Sequence, residues 1–420
     1  MFADDWGRHP SSAQHLVRQL SPRLPTLWVN TIGTRRPTAG RADRRRILAK
    51  LGRWSPLARP QGDVPANVVV ADPLMYPGFR TDWQRQLNTW QLAKTVQRHA
   101  ARPGWSEDAM PRYPRMIPRR IGVTTLPITA GLVAHSRRLG IDRWVYYCVD
   151  NLAAWPGLDG QVMASMEFGL ALDADVVVCA SEHLRQRLVS MGRDDARLLT
   201  HGIDLGHWSA ARSAGTDVRD VLGQVLPTYL FFGLIDARLD MTWCLALGSQ
   251  QRGAVWLVGP SQPGTGAQGW LMADQLRFTG AVPFEQLPGV AMRAKVLVMP
   301  YADAVVTRAM QPLKLMEYLA AGWPDAMRPV VVRDLPATRA WADCCDLAGT
   351  AEEFVRLCRE RAATGLPAGQ REARLRRLPA EAWSHKAATF ESMITRPIAR
   401  RGDVARHVTG TRSIRPRVAA

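Results

Sequence analysis

One stretch of the sequence, Lys295 to Arg333, constrains the fold more than any other. It opens with an apolar run, Val296 to Met299, which is short enough for a buried strand. Apolar residues then recur at helical spacing from Leu313 to Ala320, and a second apolar run, Pro329 to Val332, predicts the next strand. In an open parallel sheet, ligands lie at the carboxyl ends of the strands. We therefore expect the loop Val305 to Gln311 to hold a phosphate.

Two charged residues lie on the predicted helix. Lys314 falls in its first turn, where unpaired backbone amides favour an anion, and Glu317 follows one turn later. A pair at this spacing can be an ordinary surface ion pair. The other residues of the helix are nearly all apolar, which predicts burial, and buried charges need compensating partners. The pair is therefore a candidate anion-binding site, with the surface ion pair as the alternative.

The segment PLKLMEYLAAG, followed by PVVVRDLP, resembles the nucleotide-sugar-binding segment of GT-B glycosyltransferases in glycosyltransferase family 4. The resemblance implies that Glu317 holds the ribose of a sugar nucleotide. It also implies that a basic residue, together with backbone amides around Gln311 and Leu313, holds the phosphates. The sequence departs from the family pattern twice: Ala309 stands where many relatives carry another glutamate, and WPDAMR at 323–328 replaces a single basic residue.

Other motifs extend the resemblance over roughly residues 1–395. ADVVVCAS and THGIDLGHW are similar to two signatures that close the first domain in this family. The resemblance places Asp150, at the end of WVYYCVD, and His201 in the cleft as catalytic candidates. The alternatives are a turn-forming aspartate and a histidine that only lines a loop. Gly7 matches a glycine that lets the backbone approach the donor or acceptor, or it simply forms a turn.

The second half of the chain offers further phosphate-binding candidates. The apolar run TYLFFG ends at Gly233 and leads to Arg238. Glycine permits a close backbone approach, and arginine can bind two phosphate oxygens at once. An ion pair between Arg238 and a neighbouring aspartate is the alternative. Gly259 ends another predicted strand beneath the nucleotide, and Arg308 adds a cation in the predicted phosphate loop.

The expected fold class is α/β, with two Rossmann-like domains facing each other across a cleft. A chain of 420 residues exceeds what one hydrophobic core supports, and its alternating strands and helices are typical of covered parallel sheets. The predicted parts are an N-terminal acceptor domain at 1–208, a linker at 209–226, a nucleotide-sugar domain at 227–378, a helix at 379–395 that crosses back, and a disordered basic tail at 396–420.

The composition bears on partners and location. The net charge of +18 suits an anionic partner. No secretory signal or membrane-spanning run is visible, and the six scattered cysteines match no metal-binding spacing. We therefore expect a cytoplasmic protein with reduced thiols, no metal and no bound cofactor. The basic amphipathic segment at 44–54 predicts either peripheral contact with an anionic membrane at its inner face, or a solvated helix packed on the sheet.

Together the motifs predict a hexosyltransferase-type enzyme. It would move a sugar from a UDP-, GDP- or other nucleoside diphosphate sugar to a glycan or lipid-linked acceptor, in bacterial polysaccharide or cell-envelope glycan synthesis. The family resemblance implies retention of anomeric configuration. Three alternatives stay open: a non-catalytic scaffold, favoured by Ala309; a nucleotide-sugar epimerase, which needs an acid and base pair around the sugar; and a nucleic-acid-binding protein, which explains the charge but not the motifs.

Overall fold

A computed structural model describes the protein over residues 1–7, 11–31, 63–100, 120–133, 139–155, 157–209, 226–251, 253–261, 274–311 and 313–396. The predicted basic helix at 44–54, most of the predicted linker and nearly all of the predicted basic tail lie outside these residues. Pro312, which opens the nucleotide-sugar motif, also lies outside them.

The first half of the chain forms a parallel sheet of seven strands. They are β1 (Phe2–Ala3), β2 (Thr26–Asn30), β3 (Val68–Ala71), β4 (Ile121–Thr124), β5 (Arg143–Cys148), β6 (Val176–Cys179) and β7 (Arg197–Leu198). Their order across the sheet is β3-β2-β1-β4-β5-β6-β7. Both β5 and β6 are buried along their whole length; β6 is entirely apolar and β5 is aromatic or apolar after Arg143, as expected when helices cover both faces of a sheet.

The second half forms a parallel sheet of six strands. They are β8 (Tyr229–Phe232), β9 (Val255–Val258), β10 (Leu276–Gly280), β11 (Val296–Met299), β12 (Val330–Arg333) and β13 (Asp346–Ala348). Their order is β10-β9-β8-β11-β12-β13. The order reverses direction beside β8 and β11, and an open parallel sheet places its ligand site at such a point. The prediction of two parallel-sheet domains is therefore confirmed.

Helices cover both sheets. They are α1 (Ser12–Leu20), α2 (Asp82–Ala100), α3 (Ala130–Val133), α4 (Gly160–Asp173), α5 (Glu182–Ser190), α6 (Met241–Gln250), α7 (Leu287–Arg293), α8 (Val305–Ala309), α9 (Leu313–Ala320), α10 (Pro336–Arg339), α11 (Ala351–Thr364), α12 (Ala368–Arg377) and α13 (Trp383–Thr395). Serine side chains cap two of these helices: Ser11 accepts a hydrogen bond from the amide of Gln14, and Ser181 accepts one from the amide of Leu184.

The last helix, α13, packs on the first domain. Trp383, Ala387 and Phe390 are buried in the same apolar cluster as Leu16 of α1. At the far end of the helix, the Arg143 guanidinium donates hydrogen bonds to the last carbonyl groups, at 2.5 and 2.8 Å. The chain therefore returns from the second sheet to the first before it ends.

The unusual segment 323–328 forms a compact turn at the end of α9. The amides of Gly322 and Trp323 donate to the carbonyl oxygen of Trp208, at 3.0 and 3.2 Å, and the amide of Ala326 donates to Gly322 at 2.8 Å. Because Lys314 lies in the first turn of α9, the extra residues are accommodated at the opposite end of the helix. The strand β12 follows directly, with the bounds Val330–Arg333.

Candidate functional site

The carboxyl ends of β8 and β9 approach each other at two glycines. The amide of Gly233 donates to Val258 at 2.9 Å. Gly259 has a φ of 144°, and a Cβ atom on it would lie 1.8 Å from the carbonyl oxygen of Gly233. Only glycine fits there. A Cβ atom on Gly233 would lie 3.8 Å from Cγ of Lys314, so this strand end contacts the first turn of α9.

Lys314 and Glu317 form a close ion pair on α9. Lys314 Nζ lies 2.6 Å from Glu317 Oε2, and 5.5 Å from the centre of the Phe232 ring. The Glu317 side chain is 3% exposed, whereas the Lys314 side chain is 26% exposed. The pair is therefore a partly buried one at the strand end and not a solvated pair on an outer helix face. The carboxylate of the pair is therefore shielded from solvent, whereas the lysine side chain is partly accessible.

Tyr318 holds this helix against the strand end. Its hydroxyl accepts a hydrogen bond from the amide of Phe232 at 2.7 Å and donates one to the carbonyl of the same residue at 2.9 Å. The two aromatic rings pack with their centres 4.2 Å apart. Sequence reasoning missed this contact, because the only signal from Tyr318 is a place in the helical pattern.

Arg238 lies on the loop that follows β8. Its guanidinium pairs with the carboxylate of Asp236 at 2.8 to 3.0 Å, which is the ion pair held open as the alternative. The same guanidinium lies over the ring of Trp155, with its carbon 5.1 Å from the ring centre. Trp155 belongs to the first half of the chain, so Arg238 reaches across from one domain to the other. No feature of the sequence indicated the Trp155 contact.

Asp150 faces Arg238 from the first domain. Burial raises the pKa of its carboxyl to about 7, while the Arg238 guanidinium lowers that pKa and the Asp4 carboxylate adds to the rise. A carboxyl group with this pKa exchanges its proton near neutral pH, as a general acid or base must. Asp150 therefore has the electrostatic setting of a catalytic group.

Tyr301 connects the two halves of the site. Burial raises the pKa of its phenol to about 12; the Arg238 guanidinium opposes the rise, and the carboxylates of Asp236 and Glu317 add to it. These charges act on one phenol only because they lie close around it. The backbone agrees with this proximity: the amide of Ala302 donates to the carbonyl oxygen of Arg238 at 2.7 Å, so the loop that carries Arg238 lies beside the end of β11.

His201 and Gln311 contact each other between the domains. The backbone amide of His201 donates to Gln311 Oε1 at 2.7 Å, and its ring Nδ1 lies 2.5 Å from the hydroxyl of Ser12. Burial, with the nearby Lys386 and His15 charges, lowers the pKa of His201 to about 4. The ring is therefore neutral at physiological pH. Its enclosed position favours the interpretation as a loop residue over that of a general base.

The prediction of a loop at 305–311 was wrong for most of the segment: Val305–Ala309 forms the helix α8, which packs against the first domain. Ala309 is fully buried in the first domain's apolar cluster, which Leu313 also contacts. The Ser181 hydroxyl donates to the Ala309 carbonyl at 2.5 Å. Ala309, at the position where relatives carry a glutamate, therefore contributes to the packing between the two domains.

Two other predicted residues lie away from Tyr301. Arg308 is 58% exposed and pairs with Asp303 at 2.5 Å; within the described parts of the chain, no recorded contact joins it to Lys314 or Glu317. Gly7 lies in an exposed turn with a φ of 77°, a left-handed conformation that glycine adopts without strain.

Metal ligands and membrane-spanning helices are missing from the described ranges. These ranges contain no group of three or more His, Cys, Asp or Glu side chains that could hold a metal ion. Within the same ranges, no helix has both the length and the apolar character needed to cross a bilayer. All six cysteines are buried free thiols.

Solved structures share this architecture over nearly the whole chain. An alpha,alpha-trehalose 6-phosphate synthase from Burkholderia multivorans is 15% identical with a TM-score of 0.59, and the match covers 97% of this chain and 99% of that one. HepE (Alr3699) of Anabaena, solved with UDP-glucose, is 12% identical with a TM-score of 0.54, and the match covers 98% and 99%. At these identities the likeness establishes the fold alone, which is the GT-B fold, as predicted.

The sequence also resembles one curated protein over part of its length. TuaH of Bacillus subtilis (strain 168), for which a glycosyltransferase role in teichuronic acid biosynthesis has been proposed, is 27% identical over 213 residues, or 47% of this chain. The chain spans about half the length of that relative, since the match covers 52% of it. No family model matches the chain.

Proposed function

We propose that the protein is a glycosyltransferase that moves a sugar from a UDP-sugar to an acceptor hydroxyl. One observation carries the proposal: the buried Glu317 and the partly exposed Lys314 form an ion pair beside Phe232 at the end of β8, and the loop that carries Arg238 runs beside the end of the neighbouring β11. A shielded carboxylate beside two cations matches the ribose and diphosphate of a nucleotide sugar. The likeness to TuaH and the fold shared with HepE, which was solved with UDP-glucose, support this choice of ligand.

The donor would lie on the second domain. The Glu317 carboxylate accepts hydrogen bonds from the ribose hydroxyls, which releases the Lys314 ammonium group to the phosphates. The amides at the start of α9 add further donors for the anion. When the bond between sugar and phosphate breaks, negative charge develops on the leaving diphosphate. Lys314 and Arg238 then stabilise the transition state more than the ground state, because their attraction grows with that charge.

The acceptor would approach from the first domain. Asp150, with its pKa near 7, takes the proton of the attacking hydroxyl as the new glycosidic bond forms and the bond to UDP breaks. The family resemblance supports attack from the face that the diphosphate leaves, with retention of configuration. We assign the acceptor to residues 1–208 and the donor to 227–378, with no role for a metal ion.

The acceptor class follows from charge and from the relative. A net charge of +18 suits a lipid-linked, phosphorylated or acidic glycan. The proposed teichuronic acid role of TuaH supports bacterial polysaccharide or cell-envelope glycan synthesis, with hexoses as the transferred sugars. The protein would work in the cytoplasm, at the inner face of the membrane, without nucleic acid.

Turnover of nucleotide sugars tests the proposal. Purified protein is incubated with UDP-glucose and with other UDP- and GDP-hexoses, and released nucleotide is measured. We expect UDP release that Lys314→Met lowers about 100-fold or more, because a cation aimed at the developing charge is lost. Lys295→Met, which removes an exposed lysine ahead of β11, serves as the control and should keep wild-type turnover.

Two outcomes would contradict the proposal. If no nucleotide sugar binds or turns over, the protein is a scaffold that has kept the fold without the chemistry. If a UDP-sugar is converted to its epimer without UDP release, the protein is an epimerase. Product analysis by chromatography separates both from transfer.

A further inference from the structure

Two neighbouring helices of the first domain leave large apolar side chains exposed. On α2 these are Trp83, Leu87 and Trp90, which are 54%, 36% and 54% exposed and recur at the i, i+4 and i+7 positions of one helix side. On α4 they are Phe168 and Leu172, 49% and 39% exposed. We call these five residues the α2–α4 face. Single exposed apolar side chains are normal, but three that recur on one side of a single helix, two of them tryptophans, mark an interaction surface.

A groove separates the two helices. Among the described residues, the 3-10 turn Pro127–Thr129 and the four-residue helix α3 contact α4, and residues of both α2 and α4 line an open cavity with a volume of about 1190 Å³. Its apolar lining includes Trp90, Ala93, Ile128, Leu139, Val162 and Met166. Trp90 of the α2–α4 face lines this cavity, together with polar side chains such as Gln86 and Lys94, so the face borders a groove of mixed character.

The charges around this face are mostly positive. Lys94 follows Trp90 by one turn, with its Nζ 4.6 Å from the centre of the indole ring, and Arg98 follows by another turn. The one acid on α2, Asp82, is paired with Arg85 in the first turn. Glu167 of α4 is buried and paired elsewhere, which leaves Asp173 at the very end of that helix. The exposed middle of the face is therefore apolar and cationic.

We propose that the α2–α4 face binds the surface of an anionic phospholipid bilayer. Tryptophan favours the headgroup region because its ring is apolar and its N–H is polar, and lysine and arginine attract lipid phosphates. Charge argues against a second copy of the chain as the occupant. In a symmetric dimer both copies carry the same net charge of +18, and this like charge opposes their association.

The inference rests on the proposed function in one respect only: membrane binding would bring the cleft to a lipid-linked acceptor in that membrane. Binding itself is independent of sugar transfer. The two therefore fail separately: vesicle binding can be lost while UDP release persists, and the reverse.

Co-sedimentation of the full chain with vesicles tests the inference. Vesicles of phosphatidylglycerol and phosphatidylcholine are compared with vesicles of phosphatidylcholine alone. We expect wild-type protein to bind the anionic vesicles, and the double variant Trp83→Ser/Trp90→Ser to lower the partition coefficient about tenfold or more, because it removes apolar area from the interface. Leu375→Ser, on the arginine-rich α12, removes an exposed leucine elsewhere and should leave partitioning unchanged.

Salt separates this face from the basic tail, since arginines at 396–420 attract any anionic surface. At about 0.5 M salt, screening removes most attraction between exposed charges, whereas apolar contact persists. The difference between wild type and Trp83→Ser/Trp90→Ser should therefore remain at high salt. Lys94→Glu should weaken binding several-fold at low salt only.

Three results would overturn the inference. In the first, wild-type protein binds anionic and neutral vesicles equally. In the second, Trp83→Ser/Trp90→Ser binds anionic vesicles as well as wild type does. In the third, sedimentation equilibrium shows a wild-type dimer that the double variant does not form. The last would identify a second copy as the occupant. A thermal unfolding midpoint equal to that of wild type shows that each variant is folded, and exposed positions of this kind tolerate serine.

Discussion

Replacing Glu317 by Gln should weaken UDP binding strongly and leave the fold in place. The substituted amide keeps the shape of the side chain but removes the charge that would accept hydrogen bonds from the ribose. A hydrogen bond to a charged group contributes about 1.5 to 3 kcal/mol, which corresponds to a loss of roughly 10- to 150-fold in affinity. Because Glu317 is almost fully buried, water cannot easily replace the lost interaction, so we expect the upper part of this range.

The same substitution should cost little stability. Breaking a fully buried ion pair by removing one partner costs about 3 to 5 kcal/mol, because the other charge is left unpaired and dry. Lys314 keeps a quarter of its side chain exposed, so its ammonium group stays partly hydrated and the cost is smaller. Urea unfolding measures this loss of folding free energy separately from the loss of UDP affinity.

Isothermal titration calorimetry with UDP is the assay. The matched control is Glu381→Gln, which disrupts another lysine–glutamate pair, with Lys386 at 2.5 Å, on the segment leading into the last helix. It should bind UDP with wild-type affinity. If Glu317→Gln and Glu381→Gln bind UDP equally well, the ribose role of Glu317 is refuted, whatever happens to stability.

Three further variants test other parts of the account. Turnover should rise through pH 7 as Asp150, with its pKa near 7, loses its proton, and Asp150→Asn should abolish both the rate and this limb of the pH profile; a limb that survives the substitution assigns it to another group. Gly259→Ala should destabilise the protein by at least about 1 to 3 kcal/mol in urea, because the new methyl group would meet the carbonyl of Gly233 at 1.8 Å; unchanged stability would show that the strand ends are looser than described. Trp383→Ala should cost about 3 to 5 kcal/mol by emptying the contact between the last helix and the first domain, and a loss below about 1 kcal/mol would contradict that docking.

Local patterns predicted the architecture well. The strand Val296–Met299, the helix Leu313–Ala320 and the strand ending at Arg333 follow from apolar runs and helical spacing, which depend on nearby residues. The two facing parallel-sheet domains followed from the same alternation and from the family resemblance. Gly233 was singled out because glycine permits a close approach to a phosphate, and Gly259 because it ends a predicted strand; the close approach that the structure shows is between these two glycines, which was not predicted.

The contacts that assemble the site were not predictable in this way. The contact of Trp155 with Arg238, and the hydrogen bond from the amide of Ala302 to the carbonyl of Arg238, depend on how distant segments pack, and no spacing rule reports that. Arg308 shows the opposite problem: the sequence singled it out for the site, but its side chain has another partner. It lies in the segment predicted as a loop, which forms the short helix α8, and its side chain pairs with Asp303, five residues earlier, at the surface.

A comparison of UDP, UMP and uridine tests the central claim most directly, because it isolates the two phosphates. Calorimetry is carried out on the wild-type protein and on Lys314→Met. The account predicts that affinity rises steeply from uridine to UMP to UDP, and that Lys314→Met removes most of the gain between UMP and UDP. Equal affinities for the three ligands, or a gain that Lys314→Met leaves intact, would contradict a diphosphate site at the start of α9.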